Sequence, residues 1–548
     1  MEGMSHHGGR SEPFPTEIEG LPEAAPTTAV VLDHGDRLDL RIGPVAKRIG
    51  EHVVRMLAYD GSIPGPTLRV RQGSTIVVDV TNDGDVEATV HWHGLRLRNR
   101  YDGVPHDTQK PIPVGGTFTY EVDFPDEGLY WYHPHIREDY TQEMGLAGNI
   151  VVTPSDDAYW PPADRDLTVM LDDLLMEGDH IAPHDPAGAD HMAMGRFGNV
   201  LLVNGEVDPT LDVRTGEVVR FFLTNVANTR VFNVHVGGGR MKLVGGDSGR
   251  YERETFVDEV LLAPSERAVV DVLFETEGSF RLEHRTPDRT YEVAHVVCSG
   301  RAEHDAAGAF DELRVDGSLT RERETIAPDR SREPDKILAL VAEMDMPPSE
   351  DEPGYDGPHR FACPMDPEVV SIEPGRCPTC GMKLLPIAFV PAAIELLRAA
   401  ADGSPDHGDH AHEADGIEWE DTMEEINRLS NASNMRWLLV DRTTDRRNAA
   451  IDWTFAIGDR VKIRLVNEMD SDHPMHHPFH IHGAGRFLVL SRNGVPDENL
   501  VWKDTVLVRT GEIVDILLDV SNPGLWMAHC HIAEHIESGM MFSFRVTG

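Results

Sequence analysis

At 548 residues and 60.8 kDa, the chain is too long for a single hydrophobic core. A formal net charge of -44 argues against a nucleic-acid partner, because a polyanion would be repelled over most of the surface. Five cysteines, three of them crowded at Cys363, Cys377 and Cys380 with Cys298 and Cys530 as singletons, argue against a disulfide framework. The segment from Met1 to Gly20 carries acidic residues, His6, His7, glycine and proline. It has no apolar run of the kind a secretory signal or membrane anchor needs, so no membrane span is expected and the chain as given reads as cytoplasmic.

From about residue 27 onward, short β-branched and aromatic runs are broken by Gly, Pro, Asn and Asp, with little helical periodicity. This predicts an all-β fold of sandwiches. One unit recurs: a short alternating strand, a glycine, a second β-rich strand and an asparagine. Its copies are Pro66-Thr67-Leu68-Arg69-Val70 with Gly73 and Asn82, Pro209-Thr210-Leu211-Asp212-Val213 with Gly216 and Asn225, and Trp453-Thr454-Phe455 with Gly458 and Asn467. The spacing from glycine to asparagine is the same in all copies. A further shared unit follows each, at Gly128 to His133, Gly278 to Glu283 and Gly524 to His529. Repetition of this kind decides the architecture, and three domains are expected at 27–158, 163–300 and 336–548. The third is interrupted: Lys336 to Val341 reads as its first strand, and the next strand pattern begins near Arg436. Between them an insert, 350–416, is rich in Asp, Glu, His and Pro, with helical composition from Pro391 to Asp402.

Two histidines stand one residue apart at His91 and His93, His133 and His135, His480 and His482, and His529 and His531. Residues i and i+2 of a strand face the same way, so each pair is a stiff bidentate arm, and imidazole suits copper. Eight imidazoles can give three ligands to each of two coppers and two to a third. The pairs fall in the first and third repeats, while the middle repeat has Glu283 and an out-of-register His284, so a trinuclear cluster is expected between domains one and three with domain two as a spacer. Cys530, between His529 and His531, points to the opposite strand face and can bind a separate copper with His477, His535 and Met540. An electron arriving at Cys530 can cross the backbone to His529 and His531. The run His473 to Gly483 offers two His-Pro-X-His registers; only the second leads into a His-X-His pair, which selects His477 and leaves His473 and His476 as bystanders.

His91-Trp92-His93-Gly94, Tyr132-His133-Pro134-His135, His477 to Gly483 and His529 to Met540 resemble the four motifs of laccase-type multicopper oxidases, a likeness that covers nearly the whole chain outside the insert. The resemblance implies three cupredoxin-like Greek-key β-sandwich domains and four copper ions. It also implies dioxygen as acceptor, reduced to water by four electrons, a small donor such as a phenol or cuprous ion, and a setting in copper tolerance. It places the type 2 copper on His91 and His480, the type 3 pair on His93, His133, His531 and on His135, His482, His529, and the type 1 copper on His477, Cys530, His535 and Met540. Asp102, in Asp102-Gly103-Val104-Pro105, matches a family carboxylate that helps protonate reduced oxygen, although Asp-Gly is also a turn former. A second family acid falls where this chain has Ala533 or Ile536; Glu534 and Glu537 lie close without matching, and that role stays open. The family setting also makes a periplasmic or secreted location an alternative.

In the insert, Cys363-Pro364-Met365-Asp366-Pro367 and Cys377-Pro378-Thr379-Cys380-Gly381-Met382, within 358–387, resemble a small heavy-metal-binding module attached to copper-efflux proteins. Three thiolates suit zinc or cuprous ion. Asp366 stands where the family often has histidine; His359, Met365 and Met382 could complete the site. His407, His410 and His412 read as part of a solvated linker, and Met192 and Met194 as packing. A non-catalytic copper store is the rival reading, and a copper nitrite reductase is disfavoured because it could not employ all four histidine pairs.

Overall fold

The computed structural model describes residues 13–303, 306–345, 358–401 and 415–548; His407, His410 and His412 lie outside the described residues. The chain folds as three cupredoxin-like β-sandwiches, each formed of two facing sheets. The first has sheets of five and four strands, the second six and five, and the third seven and five. Strand Thr75–Asn82 shows the cause: Ile76, Val78, Val80 and Asn82 are buried while the residues between them are half-exposed. In the middle domain, Val218–Asn225 is buried along its whole length because both faces are covered.

The repeated glycine and asparagine have one physical role in each copy. Gly73, Gly216 and Gly458 adopt φ of +84°, +81° and +91°, a turn conformation that disfavours any side chain. Each asparagine is fully buried, and its side-chain amide donates to main-chain carbonyls of the loops that follow. Asn82 Nδ2 donates to Val86 O and Ile112 O, both at 2.9 Å. Asn225 Nδ2 donates to Arg230 O and Leu262 O at 2.8 and 2.9 Å. Asn467 Nδ2 donates to Met475 O at 2.6 Å and Arg509 O at 3.0 Å. Val86, Arg230, Met475 and Arg509 lie outside the strands, while Leu262 ends one and Ile112 sits in a bridge to Ala88, so the repeat preserves a polar clamp between loops and strand ends as much as a strand pattern.

The histidine pairs lie on or at the ends of neighbouring strands in both outer domains. His91 and His93 share a strand, whereas His135, His482 and His531 fall just past the ends of theirs, so the expectation that each pair lies wholly on a strand holds for the first alone. His91–His93 runs antiparallel to Gly128–His133 with His91 opposite His133. In the third domain, His477–Ile481 runs antiparallel to Gly524–Cys530, with His480 opposite His529 and Phe479 opposite Cys530. Strand Lys336–Met344 is the first of the third domain and pairs with Met435–Asp441 across the insert. The insert has a three-stranded sheet of Phe361–Ala362, Val370–Ser371 and Leu385–Pro386, then a helix Pro391–Ala401, and its apolar residues join the third domain's core. Among the described residues, no helix is long and apolar enough to cross a membrane.

Asn225 lies in the domain without histidine pairs and so tests the clamp apart from any metal. Asn225→Ala strips two buried carbonyls of their donor and is expected to cost about 1–3 kcal/mol, read as a lower denaturant midpoint. An unchanged midpoint would show that the loops hold themselves.

Candidate metal centres

All eight paired histidines are buried around one pocket between the first and third domains, none more than 5% exposed. His135, His482 and His529 form one group, with His482 Nε2 3.0 Å from His529 Nε2. The rings of His93, His133 and His531 form another, with centroids 5.0 to 5.7 Å apart. His91 and His480 face each other at 5.8 Å. The structure thus brings every member of the four pairs into one buried cluster, in which His91 also lies 4.0 Å from His482 and His93 stacks on His480 at 3.8 Å.

The nitrogens facing away from the pocket are held. His91 Nδ1 donates to Asp102 O at 2.7 Å, His133 Nδ1 to Pro134 O at 2.7 Å, His480 Nδ1 to Asp504 O at 2.9 Å and His529 Nδ1 to Cys530 O at 2.7 Å. A carbonyl can only accept, so in each neutral ring Nδ1 carries the hydrogen and Nε2 keeps its lone pair. The inward Nε2 atoms of His91, His133, His135, His480 and His531, and Nδ1 of His93, are buried without a partner. Burial first, then mutual repulsion, holds His93, His133, His480 and His529 well below the usual imidazole range. Burial likewise lowers His482 to about 3 and His531 to about 4. Neutral imidazoles with idle, converging lone pairs are the state in which histidine binds copper. The donor set therefore fits copper.

Three carboxylates stand behind the rings. Asp102, fully buried, accepts from His482 Nδ1 at 2.8 Å while its own carbonyl holds His91, so it joins the first domain to the third. Burial would raise its pKa, but the His482 and His91 rings outweigh that and lower it. Glu138 approaches His135 Nδ1 at 3.0 Å. Burial pushes His135 down, yet the Glu138 carboxylate outweighs it and the ring is raised. Asp504 accepts from His93 Nε2 at 3.1 Å and from Arg267 Nη1 at 2.7 Å. Sequence reasoning missed Glu138, Asp504 and Arg267. Only Glu138 left a signal, in its spacing three residues after His135 on the turn entering helix Glu138–Thr141.

Arg267 comes from the middle domain, on strand Arg267–Phe274, and is fully buried. This corrects the expectation of a mere spacer: the middle domain adds none of the eight histidines, but its guanidinium fixes the carboxylate that fixes His93. Its His284 is structural, accepting from Asn233 N at 3.1 Å and lying against Tyr291.

On the other face of the Gly524–Cys530 strand, Cys530 Sγ lies 3.4 Å from both His477 Nδ1 and His535 Nδ1. His477 stands three residues from His480 on its strand and so faces the opposite side. Met540 is buried beside them, and its main chain accepts from Cys530 N at 3.3 Å and donates to His535 O at 2.9 Å. Trp437 stacks on His535 with centroids 4.0 Å apart. His476 accepts from Glu418 N at 3.1 Å and donates to Thr229 O at 3.3 Å, which leaves it no free lone pair. His473 lies against Trp437 at 5.8 Å. Met192 and Met194 are buried in the third domain's core cluster. Glu534 faces the middle domain, where Asn228 Nδ2 donates to it at 2.6 Å and burial raises it to about 8. In the insert, Asp366 closes on the thiols: its Oδ2 lies 3.0 Å from Cys377 Sγ and 3.5 Å from Cys363 Sγ. Met365 is engaged elsewhere, its sulfur accepting from Thr422 Oγ1 at 2.9 Å.

A two-sided strand with a thiol and two imidazoles on one face and a pocket of eight imidazoles on the other, in a three-sandwich chain, defines a copper oxidoreductase. Models of multicopper oxidases match residues 45–157 and 420–548, and a model of a heavy metal binding domain matches 360–387. The chain belongs to the multicopper oxidase family, whose members are copper-dependent oxidoreductases. It is 24% identical to multicopper oxidase MmcO of Mycobacterium tuberculosis, over 97% of this chain and 91% of that one. Copper resistance protein A of Escherichia coli is also 24% identical, over 93% of each chain. Among solved structures, a multicopper oxidase from Campylobacter jejuni described as a metallo-oxidase shares the fold with a TM-score of 0.64 at 22% identity, covering 97% of this chain and 98% of that one. McoA from Aquifex aeolicus gives a TM-score of 0.63 at 23% identity, covering 96% of this chain and 100% of that one.

Arg267→Lys keeps the charge but loses the two-pronged hold on Asp504. Copper affinity of the histidine pocket is expected to fall by about 10–100-fold, as for other outer-shell partners. Dialysis against a chelator would read this as lost copper with the Cys530 absorption retained. Equal retention to wild type would reduce Arg267 to packing.

Proposed function

We propose that the protein couples one-electron oxidation of a donor at a type 1 copper, on His477, Cys530, His535 and Met540, to four-electron reduction of dioxygen to water at a trinuclear copper cluster on the eight paired histidines. Copper, when bound, supplies the one-electron redox steps and the binding of dioxygen. The observation that carries the reading is the position of Cys530, whose thiol joins His477 and His535 while its two chain neighbours enter the other pocket. The main chain from Cys530 to His529 and His531 is a short covalent path between the two sites. The outward contacts of the rings keep their inward nitrogens deprotonated, and burial keeps bulk water from the pocket. Asp102 and Glu138 are carboxylates in contact with pocket histidines, and the role proposed for them is to pass protons on toward reduced oxygen rather than to store them.

For the donor, complete burial of His477 favours a small reductant over an aromatic one that needs an exposed imidazole edge. Cuprous ion fits, with phenols as the alternative. A setting in copper tolerance is supported by the name of the copper resistance relative and by the heavy-metal module.

Cys530→Ser separates this reading from a copper store. The variant is expected to lose one copper per chain and its intense visible band, to keep the pocket's coppers, and to lose dioxygen uptake with cuprous ion or phenols. A copper-loaded wild type that consumes no dioxygen with any such donor would sink the proposal.

A further inference from the structure

A cavity of about 900 Å³ lies between the middle domain and the 420–428 segment. It is of the size that takes an organic molecule. Phe197, His191 and Arg230 in its lining are buried, while Glu177, Arg289 and Glu424 stand exposed at its mouth. Tyr291 and Phe197 add aromatic surface. The wall carries seven carboxylates and three arginines, so it favours a neutral or cationic guest over an anion. None of its residues belongs to the histidine pairs or to the thiol site.

His191 is set up as a base. Its backbone is held at φ +58°, a region that side chains disfavour and that recurs at functional sites. Its Nδ1 donates to Asp190 Oδ1 at 2.7 Å, and Arg196 Nη2 donates to the same oxygen at 2.8 Å. Burial would raise Asp190, but the contacts from His191 and Arg196 outweigh it and lower it to about 2. The carboxylate therefore stays ionised and the ring hydrogen stays on Nδ1, which leaves the lone pair on Nε2. No group among the described residues bonds to that Nε2. The segment that follows is clamped, with Ala193 N donating to Ser430 Oγ at 2.8 Å and Met194 N to Asn427 Oδ1 at 2.9 Å.

The cavity is close to the thiol site in covalent terms. Met192, next to His191, accepts at its main-chain oxygen from Trp437 Nε1 at 2.6 Å. Trp437 stacks on His535 with centroids 4.0 Å apart and meets His477 edge to face at 4.9 Å. One residue of main chain, one hydrogen bond and one ring stack thus join His191 to His535. An aromatic donor held in the cavity needs no exposed imidazole edge, so the burial of His477 does not bar it.

We propose that this cavity binds a neutral or cationic aromatic donor that carries an O–H or N–H group, with His191 as the base. As the donor is oxidised its O–H or N–H bond breaks: the proton passes to His191 Nε2, the ring gives up one electron, and the radical leaves by the mouth. The electron runs through Met192 and Trp437 to His535, its acceptor being the type 1 copper of the function proposed above. The redox half rests on that reading; the binding half does not.

Binding is tested with para-nitrophenol, a phenol too electron-poor to be consumed, by equilibrium dialysis against the full-length, copper-loaded protein. One molecule per chain is expected on wild type, and Val207→Trp, which puts an indole into the cavity wall, should weaken binding at least tenfold. No binding to wild type, or equal binding to Val207→Trp, would overturn the site. Turnover tests the base. His191→Gln should lower kcat/KM for guaiacol at least tenfold more than for aminomethylferrocene, which gives up an electron and no proton. Equal losses with the two donors would overturn His191 as the base. Trp437→Phe keeps the stack and loses the N–H, so in anaerobic rapid mixing with guaiacol the visible band of the Cys530 site should fade at least tenfold more slowly; an unchanged rate would overturn the route. A fully copper-loaded wild type that takes up no dioxygen with aminomethylferrocene would instead sink the parent reading, leaving para-nitrophenol binding to judge the cavity.

Discussion

Side chains of a β-strand alternate between its faces, and at His529-Cys530-His531 that alternation divides one tripeptide between two sites. The partner strand obeys the same pleat. With His480 opposite His529 and Phe479 opposite Cys530, His477 must appear on the Cys530 side while His480 appears on the pocket side. A slip of one residue in either strand would exchange the faces and empty both sites. The polar clamps are therefore part of the chemistry. Asn467 bonded to Met475 O and Met540 O accepting from Cys530 N both fix register within a few residues of a site side chain.

The second constraint is charge. Asp102 and Glu138 are buried, and each is bonded to the outward nitrogen of a pocket imidazole. Buried carboxylates without a firm cation are costly, and the rings facing them offer lone pairs rather than protons to the pocket. A polycationic occupant resolves both demands at once: it accepts the lone pairs and neutralises the carboxylates behind them. The pocket is stable in the form that binds copper, and its polarity runs outward from that occupant through ring to carboxylate.

How much of this was legible in the sequence follows from the range of each interaction. The paired histidines, Cys530, His535 and Met540 sit within short motifs whose spacing maps onto strand faces, so the residues themselves announce the sites. The choice of His477 over His473 and His476 could also be made from register, and His476 proves to be committed to Glu418 and Thr229. Asp504 could not be found this way. It lies 411 residues from His93, and an aspartate in the bend before strand Thr505–Val508 carries no mark of the ring it will meet. Arg267 reads as an ordinary strand residue until the fold brings it to Asp504. Asp366 was visible but counted against the insert's site because histidine was expected, although a carboxylate oxygen is itself a donor.

The middle domain shows why three sandwiches are present when two carry the histidine pairs. It reaches the pocket through Arg267 and Asp504, and it reaches the Cys530 side through Thr229 O on His476 and through Asn228, which accepts from Ala533 N at 2.9 Å and donates to Glu534. These contacts fall on both faces of the Gly524–Cys530 strand and its continuation. Two domains meeting at a pocket lined by eight imidazoles have little inside it to hold them together, since the inward atoms make almost no bonds to one another. The bonds that fix the geometry must then come from outside the pocket, and the middle domain is placed to supply them.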